Sequence, residues 1–313
     1  MLKHIDNLKE TYPFIYELIL GISQNQPLHS KFVSTSVKNL KLIELNNFEA
    51  YLNFLSKSGK SMEYISNCYK VIVKDAITEQ LYFSQNKKYR YSKFKDVAEK
   101  VYFNSEFMDC YMYGLGITSY LWPNHLEISR FFKKNLPKKK SGNYLEIGPG
   151  HGCFFLSAIN NSLFDNFVGV DISKSSIDQT KEITRHFVSK ENLNKTKFYE
   201  LDFLTCNELD KDNFDAVVMG EVLEHVEKPD LFLKRIFHLA NKKSYIFITT
   251  CINAPAIDHI FLWRNIKSLE TLILKCGFKI KNSLVLPYEN KTIEQSEKDF
   301  LPINVAYVLE KNF

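Results

Sequence analysis

The chain has 313 residues, 45% hydrophobic, 14% aromatic and 25% charged, with a formal net charge of +5. That is long for one domain of roughly 150 residues and suits about two. The 25 Phe and 17 Tyr supply too much buriable surface for a disordered or low-complexity chain.

The six cysteines show no C-x-x-C spacing, which argues against a zinc ribbon or a disulfide framework. Charges within Met1 to Glu10 argue against a secretory leader. No uncharged apolar run approaches the ~20 residues of a membrane span. The expectation is a reduced, cytoplasmic globular protein without a membrane partner.

From Ile5 to about Leu136 apolar residues recur at helical spacing, as in Leu2, Ile5 and Leu8 and in Tyr64, Ile65, Cys68, Val71 and Ile72. The segment Asp109 to Pro123 interrupts this rhythm with CYMYGLGITSYLWP, after which Asn124 is placed to cap a helix running through Phe132. Residues 1–135 are therefore read as a helical N-terminal cap or substrate domain. Tyr111, Tyr113, Tyr120 and Trp122 either cover an organic acceptor or serve as ordinary core packing, and His125 is read as structural.

Cut at Lys140, the chain holds 21 Lys and Arg against 13 Asp and Glu on the N-terminal side, or +8, and 20 against 23 on the other, or −3. The cluster Lys133, Lys134, Lys138, Lys139 and Lys140 reads as a solvated helix end and linker, with phosphate binding as a lesser reading.

Beyond the lysines, short apolar runs alternate with helical stretches. Strands are expected at Tyr144 to Ile147, Phe167 to Val170, Lys197 to Leu201, Ala216 to Met219 and Tyr245 to Thr249. Gly277 is expected to stop a helix over Ser268 to Cys276, and Lys279 to Leu286 and Asn304 to Leu309 form a final pair of strands. This is the grammar of an α/β fold: a Rossmann-like, doubly wound, mostly parallel seven-stranded sheet over residues 142–313.

The first strand runs into NYLEIGPGHGCFFLSAI, where Glu146, Gly148, Gly150 and Gly152 precede an apolar helix. Glycines there permit a tight turn and close approach of a ligand to backbone. Cys153 stands where a dinucleotide fingerprint wants glycine, and there is no G-x-x-x-x-G-K-[ST], so the ligand is not expected to carry a pyrophosphate or triphosphate.

Together with FVGVDIS, FYELDFLT and FDAVVMGEVLEHV, this loop resembles the class I S-adenosylmethionine-dependent methyltransferases, over roughly the last 172 residues. The resemblance implies S-adenosylmethionine as cofactor and EC 2.1.1 chemistry. It makes Glu146 and Ile172 cofactor-binding residues and places the Gly148, Gly150 and Gly152 bend at the amino-acid tail, Asp171 at the ribose hydroxyls, Asp202 at the adenine amino group with Phe203 packed on the ring, and Gly220 with the last segment against the methionine moiety.

The last of these segments carries E-x-x-E-H: Glu221, Glu224 and His225. If a helix begins near Glu221, offsets of three and four set these side chains on one face. Carboxylates and imidazole suit magnesium, manganese or iron(II). The arrangement is similar to that of the ubiquinone-pathway O-methyltransferases and of the small-RNA 3′-terminal 2′-O-methyltransferases, which bind a divalent metal there. His259, in the loop TTCINAPAIDHIFLW, is the candidate fourth ligand, and either His225 or His259 is a candidate proton acceptor. The competing reading makes the His a mere hydrogen-bonding residue and the two Glu favourable charges at a helix N-terminus.

The expected activity is methyl transfer to a small-molecule acceptor, at oxygen, with or without a divalent metal. Alternatives are another use of the sulfonium (aminocarboxypropyl transfer or cyclisation), RNA 2′-O-methylation, and a non-catalytic cofactor-binding scaffold. The −3 charge of the C-terminal part disfavours nucleic acid. Nothing in the sequence decides between a monomer and a homo-oligomer.

Overall fold

The computed structural model describes residues 8–138, 140–210 and 213–312. Leu2 and Ile5 of the first helical repeat, and Lys139 of the lysine cluster, lie outside the described residues.

Seven strands form one sheet: β1 (Asn143–Ile147), β2 (Asn166–Asp171), β3 (Thr196–Glu200), β4 (Phe214–Gly220), β5 (Ala240–Ile252), β6 (Phe278–Leu286) and β7 (Ile303–Lys311), in the order β3-β2-β1-β4-β5-β7-β6. The first five are parallel, and β7 runs antiparallel to both β5 and β6. Every expected strand is present, and the sheet is the mostly parallel α/β arrangement that the alternating pattern implied.

Register sets the working edge. Ile147 lies beside Val170 and Met219, Asp171 beside Glu200, and Gly220 beside Thr249. The carboxyl ends of β1, β2, β4 and β5 therefore finish side by side. Strand order reverses between β1 and β4, and such a switch point opens a crevice for ligands in doubly wound sheets.

The central strands are apolar on both faces because both are covered. Leu145, Val168, Val217 and Ile246 pack with Phe232, Leu233 and Ile236 on one side. On the other, Tyr144, Phe167, Val218 and Phe247 pack with Phe132, Phe155 and Ile159. A fully buried side chain of this size contributes about 1.5–3 kcal/mol.

In chain order the helices used below are α1 (Pro13–Asn25), α2 (Ser30–Lys38), α3 (Leu42–Lys57), α4 (Met62–Asn86), α5 (Ser105–Leu121), α6 (Pro123–Asn135), α7 (Cys153–Asn161), α8 (Lys174–Phe187), α9 (Pro229–Leu239) and α10 (Ile266–Lys275). The chain groups into two compact units, one of residues 1–75 and 109–127, the other of 76–108 and 128–313. The sequence-based interval between 135 and 142 falls inside the second unit.

Two local expectations are corrected. The stretch Asp109 to Pro123 is not a break: it lies largely within α5. Its glycines are packing residues, since a Cβ on Gly114 would lie 2.5 Å from Ile72 Cγ1 and 2.6 Å from the Cys68 carbonyl oxygen, and one on Gly116 would lie 2.6 Å from the Tyr51 hydroxyl. Close helix approach, rather than a turn, explains them. The next helix also begins at Pro123, so Asn124 lies inside its first turn rather than capping it.

The aromatic residues of this segment are packed within the helical unit. Tyr120 stacks on Phe48 with ring centroids 4.4 Å apart, the Trp122 indole N–H donates to the Tyr69 hydroxyl at 3.0 Å, and His125 Nδ1 lies 2.8 Å from Thr118 Oγ1.

Candidate functional site

Between β1 and α7 the chain turns through Gly148, Gly150 and Gly152, with φ of 67°, 54° and 77°. These left-handed values are cheap only for glycine. Space is equally tight, because a Cβ on Gly148 would lie 2.7 Å from Val222 Cγ2, and one on Gly152 2.9 Å from Ile183 Cγ2. Backbone and side-chain bonds fix the turn: the Gly148 N–H donates to the Val170 carbonyl at 2.8 Å and Thr180 Oγ1 to the Gly150 carbonyl at 3.0 Å. The result is a bare-backbone bend at the switch point, leading into the N-terminus of α7.

Glu146 is turned inward. It is 2% exposed, and its carboxylate accepts from the Tyr144 hydroxyl and from the Phe155 backbone N–H. Burial pushes its pKa up to about 8. Its place is behind the loop, tying the first turn of α7 to β1. His151, in the loop, is held down to about 4 by burial.

Asp171 ends β2 and accepts from the Ser173 N–H at 2.8 Å, with the Gly150 and Ile172 amides adding to its hydrogen bonding. Burial raises its pKa to about 6, opposed by these amides and by the nearby His225. The loop and Asp171 thus share one corner. Ile172 beside it is half-buried.

Asp202 is exposed and accepts from the Leu204 N–H at 2.9 Å. Phe203 is 4% exposed and packs into the core, 5.5 Å from Phe232 and beneath the Arg235 guanidinium. Gly220 is required by the Phe154 ring, which would lie 2.7 Å from an added Cβ.

The acidic segment after β4 does not start an α-helix, and this corrects the one-face geometry expected of Glu221, Glu224 and His225. Glu221 takes φ 51° and donates its N–H to both the carbonyl and the hydroxyl of Thr249, at 3.1 and 3.0 Å. A 3₁₀ turn over Leu223–His225 follows, and the next α-helix waits for Pro229.

The side chains nevertheless converge, in two overlapping sets whose donor atoms lie within 4.8 Å of one another: Glu224 with His225 and His259, and Glu221 with Glu224 and Cys251. Glu224 is fully buried. Its Oε2 accepts from Thr250 Oγ1 at 2.7 Å, whereas its Oε1 and the Oε1 of Glu221 are buried without a hydrogen-bond partner. Burial raises both carboxyls, Glu224 well above the usual range with Glu221 adding repulsion, so the pair favours a shared proton or a bound cation.

Both imidazoles are anchored through Nδ1. His225 Nδ1 lies 3.1 Å from the Asp258 carbonyl oxygen, and His259 Nδ1 lies 2.6 Å from that of Ala254. A carbonyl accepts only from N–H, so in the neutral form of each ring Nε2 is the nitrogen that keeps its lone pair. His225 Nε2 lies 3.9 Å from Glu224 Oε1. Burial holds His259 neutral, its pKa drawn down to about 4.

The loop after β5 closes over this cluster. The Asn253 N–H donates to the Trp263 carbonyl at 3.1 Å, and the Glu224 carbonyl accepts the N–H groups of both Ile260 and Phe261 at 2.9 Å.

Sequence reasoning did not assign Tyr102, Cys251 or Asp258 to this site. Tyr102 donates its hydroxyl to Asp258 Oδ2 at 3.1 Å, across 156 residues, and Asp258 is 3% exposed. Only the adjacency of Asp258 to His259 offered a signal; Tyr102 had none.

Comparison with known proteins gives the same direction. The methyltransferase domain family matches residues 124–280, half of the chain. The ubiquinone biosynthesis O-methyltransferase of Pelagibacter ubique (strain HTCC1062) is 29% identical over 182 residues, covering 57% of this chain and 70% of that protein. The solved structure of mitomycin 7-O-methyltransferase superposes with a TM-score of 0.53 at 11% identity, over 80% of this chain and 70% of that one. A Haloferax volcanii complex of a methyltransferase activator with a methyltransferase gives a TM-score of 0.50 at 10% identity, over 68% of this chain and 98% of that one. These two structures share its fold. The match over half of its length places the chain among the class I S-adenosylmethionine-dependent methyltransferases.

Proposed function

We propose that the protein transfers the methyl group of S-adenosylmethionine to an oxygen of a small organic acceptor, with a divalent cation held by Glu221, Glu224, His225 and His259. The observation that carries this reading is the pair of buried, unpartnered carboxylate oxygens of Glu221 and Glu224 beside an imidazole whose other nitrogen is already anchored. The O-methyltransferase of the curated relative supports the choice of oxygen.

The donor set fits a cation. Carboxylate oxygens and neutral Nε2 atoms are what magnesium, manganese or iron(II) accept, and imidazoles oriented by carbonyls are the usual support for metal ligands. A cation there would lower the pKa of an acceptor hydroxyl and fix its orientation.

The chain's own residues do the rest. Asp171 is assigned to the ribose hydroxyls, with Ile172 beside it, and the loop Gly148 to Gly152 with Gly220 to the methionine end. Asp202 is assigned to the adenine amino group. Glu146 and Phe203 act from behind, one holding α7 and the other packing under the Asp202 turn. Since the sulfonium methyl is already activated, the remaining work is to align the acceptor oxygen about 3 Å away and take up its proton. Where no cation occupies the site, His225 Nε2, on a side chain 19% exposed, is the assigned acceptor of that proton, with His259 as the alternative. Where the two rings ligate the cation, their Nε2 lone pairs are taken and the proton of the cation-acidified hydroxyl passes to solvent. The six free cysteines are consistent with a cytoplasmic setting.

The test is calorimetric titration with S-adenosylhomocysteine, with and without manganese, followed by product analysis against a panel of phenolic and catecholic acceptors. Manganese-stimulated formation of S-adenosylhomocysteine, lost in Glu221→Ala with cofactor affinity retained, is the expected result. Release of methylthioadenosine, or activity untouched by chelators, would overturn the oxygen-transfer or the cation part of the reading, respectively.

A further inference from the structure

A sulfur atom stands among the acidic donors. Cys251, near the carboxyl end of β5, is 2% exposed. Its Sγ and one oxygen each of Glu221 and Glu224 lie within 4.8 Å of one another. Two donors held by one ion at about 2.0–2.3 Å are at most about 4.5 Å apart, so the triad is close to ligating dimensions. The thiol donates to the Ala254 carbonyl at 3.8 Å, an oxygen that also accepts from His259 Nδ1 at 2.6 Å, and the sulfur lies 3.7 Å from that nitrogen. The Oε1 atoms of Glu221 and Glu224 are buried and accept from no N–H or hydroxyl donor of the chain, as acids that hold a ligand would.

Resting on the cation reading above, we propose that Cys251 is a sulfur ligand of that same cation, and that it tilts the site toward a borderline ion such as iron(II), cobalt(II) or zinc. Magnesium takes oxygen ligands and gains little from sulfur, whereas thiolate raises the affinity of the borderline ions. As the sulfur–cation bond forms, the S–H bond breaks and its proton passes to solvent.

The test is a cobalt(II) titration of the full chain, reduced, metal-free and kept from oxygen, followed by absorption. The expected spectrum combines visible ligand-field bands with an intense near-ultraviolet thiolate-to-cobalt charge-transfer band. Cys251→Ser keeps the ligand-field bands and loses the charge-transfer band. Its zinc affinity, read by competition with a chromophoric chelator, falls by roughly tenfold or more, at least what disturbing a metal's supporting residues costs. Its magnesium affinity changes far less. Cys251→Ala is the second variant, and the wild-type spectrum is a test in itself if neither variant folds.

Ligand-field bands without charge transfer in the wild type, or an undiminished charge-transfer band in Cys251→Ser, overturn the sulfur ligand and leave the cation reading standing. No cobalt bands at all overturn both.

Discussion

His225 Nδ1 lies 3.1 Å from the backbone carbonyl of Asp258 and 3.4 Å from that residue's carboxylate. One residue therefore fixes the imidazole's tautomer and directs its Nε2 toward Glu224. Tyr102 in turn donates to the Asp258 carboxylate. The histidine's orientation is thus set by two residues that lie far from it in the chain.

Tyr102→Phe removes only the outer hydrogen bond of that series. The fold should be kept, and manganese affinity measured by calorimetry should drop by about tenfold, the low end for loss of a residue that supports a metal ligand. Unchanged affinity would mean that the Asp258 carbonyl alone suffices.

Asp171→Ala should weaken S-adenosylhomocysteine binding by about 1–3 kcal/mol, the cost of leaving buried polar partners unmatched. In the wild type the affinity should also depend on pH. The folded, ligand-free Asp171 titrates at about 6, and once protonated it gives up acceptor capacity to its own proton. Affinity is therefore expected to fall as pH drops through that value, in titrations made on either side of it. A flat profile would separate Asp171 from the sugar.

Glu146 links stability to pH in the opposite sense from an ordinary salt-bridged acid. Its pKa rises from 4.5 to about 8 on folding, so between those values the folded state holds a proton that the unfolded chain gives up. Its contribution is complete below the lower value and is lost as pH climbs to the upper one, at a limiting slope of about 1.4 kcal/mol per pH unit. Thermal unfolding of Glu146→Gln should lose less stability than wild type as pH is raised from about 6 to about 8.

Gly114→Ala should destabilise the protein by about 1–3 kcal/mol, because the new methyl meets backbone at Cys68 as well as Ile72. Gly59, whose missing Cβ faces open space, is a control: with φ 81° its alanine variant bears backbone strain but no clash. Denaturant midpoints of the two variants separate packing from strain.

The central parallel strands were legible because strands buried on both faces must be continuous apolar runs, as in Ala216 to Met219, whereas the edge strands β3 and β6, partly exposed, stood out by their place in the alternation with helices. Strand ends were less legible: β5 extends over Ala240–Ile252 where only Tyr245 to Thr249 stands out. The glycine bend was readable from its spacing, since it is a chain-local turn, whereas Asp171 stood out only through the resemblance of FVGVDIS to the family's second segment. The Asp109 to Pro123 segment misled because a glycine chosen for helix contact looks in sequence like a glycine chosen for a turn. The turn at Glu221 was hidden for a related reason, its φ being imposed by two bonds to Thr249 on the neighbouring strand. Tyr102 and Cys251 join the site only through tertiary folding, which periodicity does not encode.

The Glu224 carbonyl receives two amides from the loop that carries His259. Acid and imidazole are consequently hinged on a single oxygen, so a tug on the Ile260–Phe261 strap would travel to both donors at once. Substitutions along that strap should register as altered grip at the Glu224–His259 pair before they register as loss of fold.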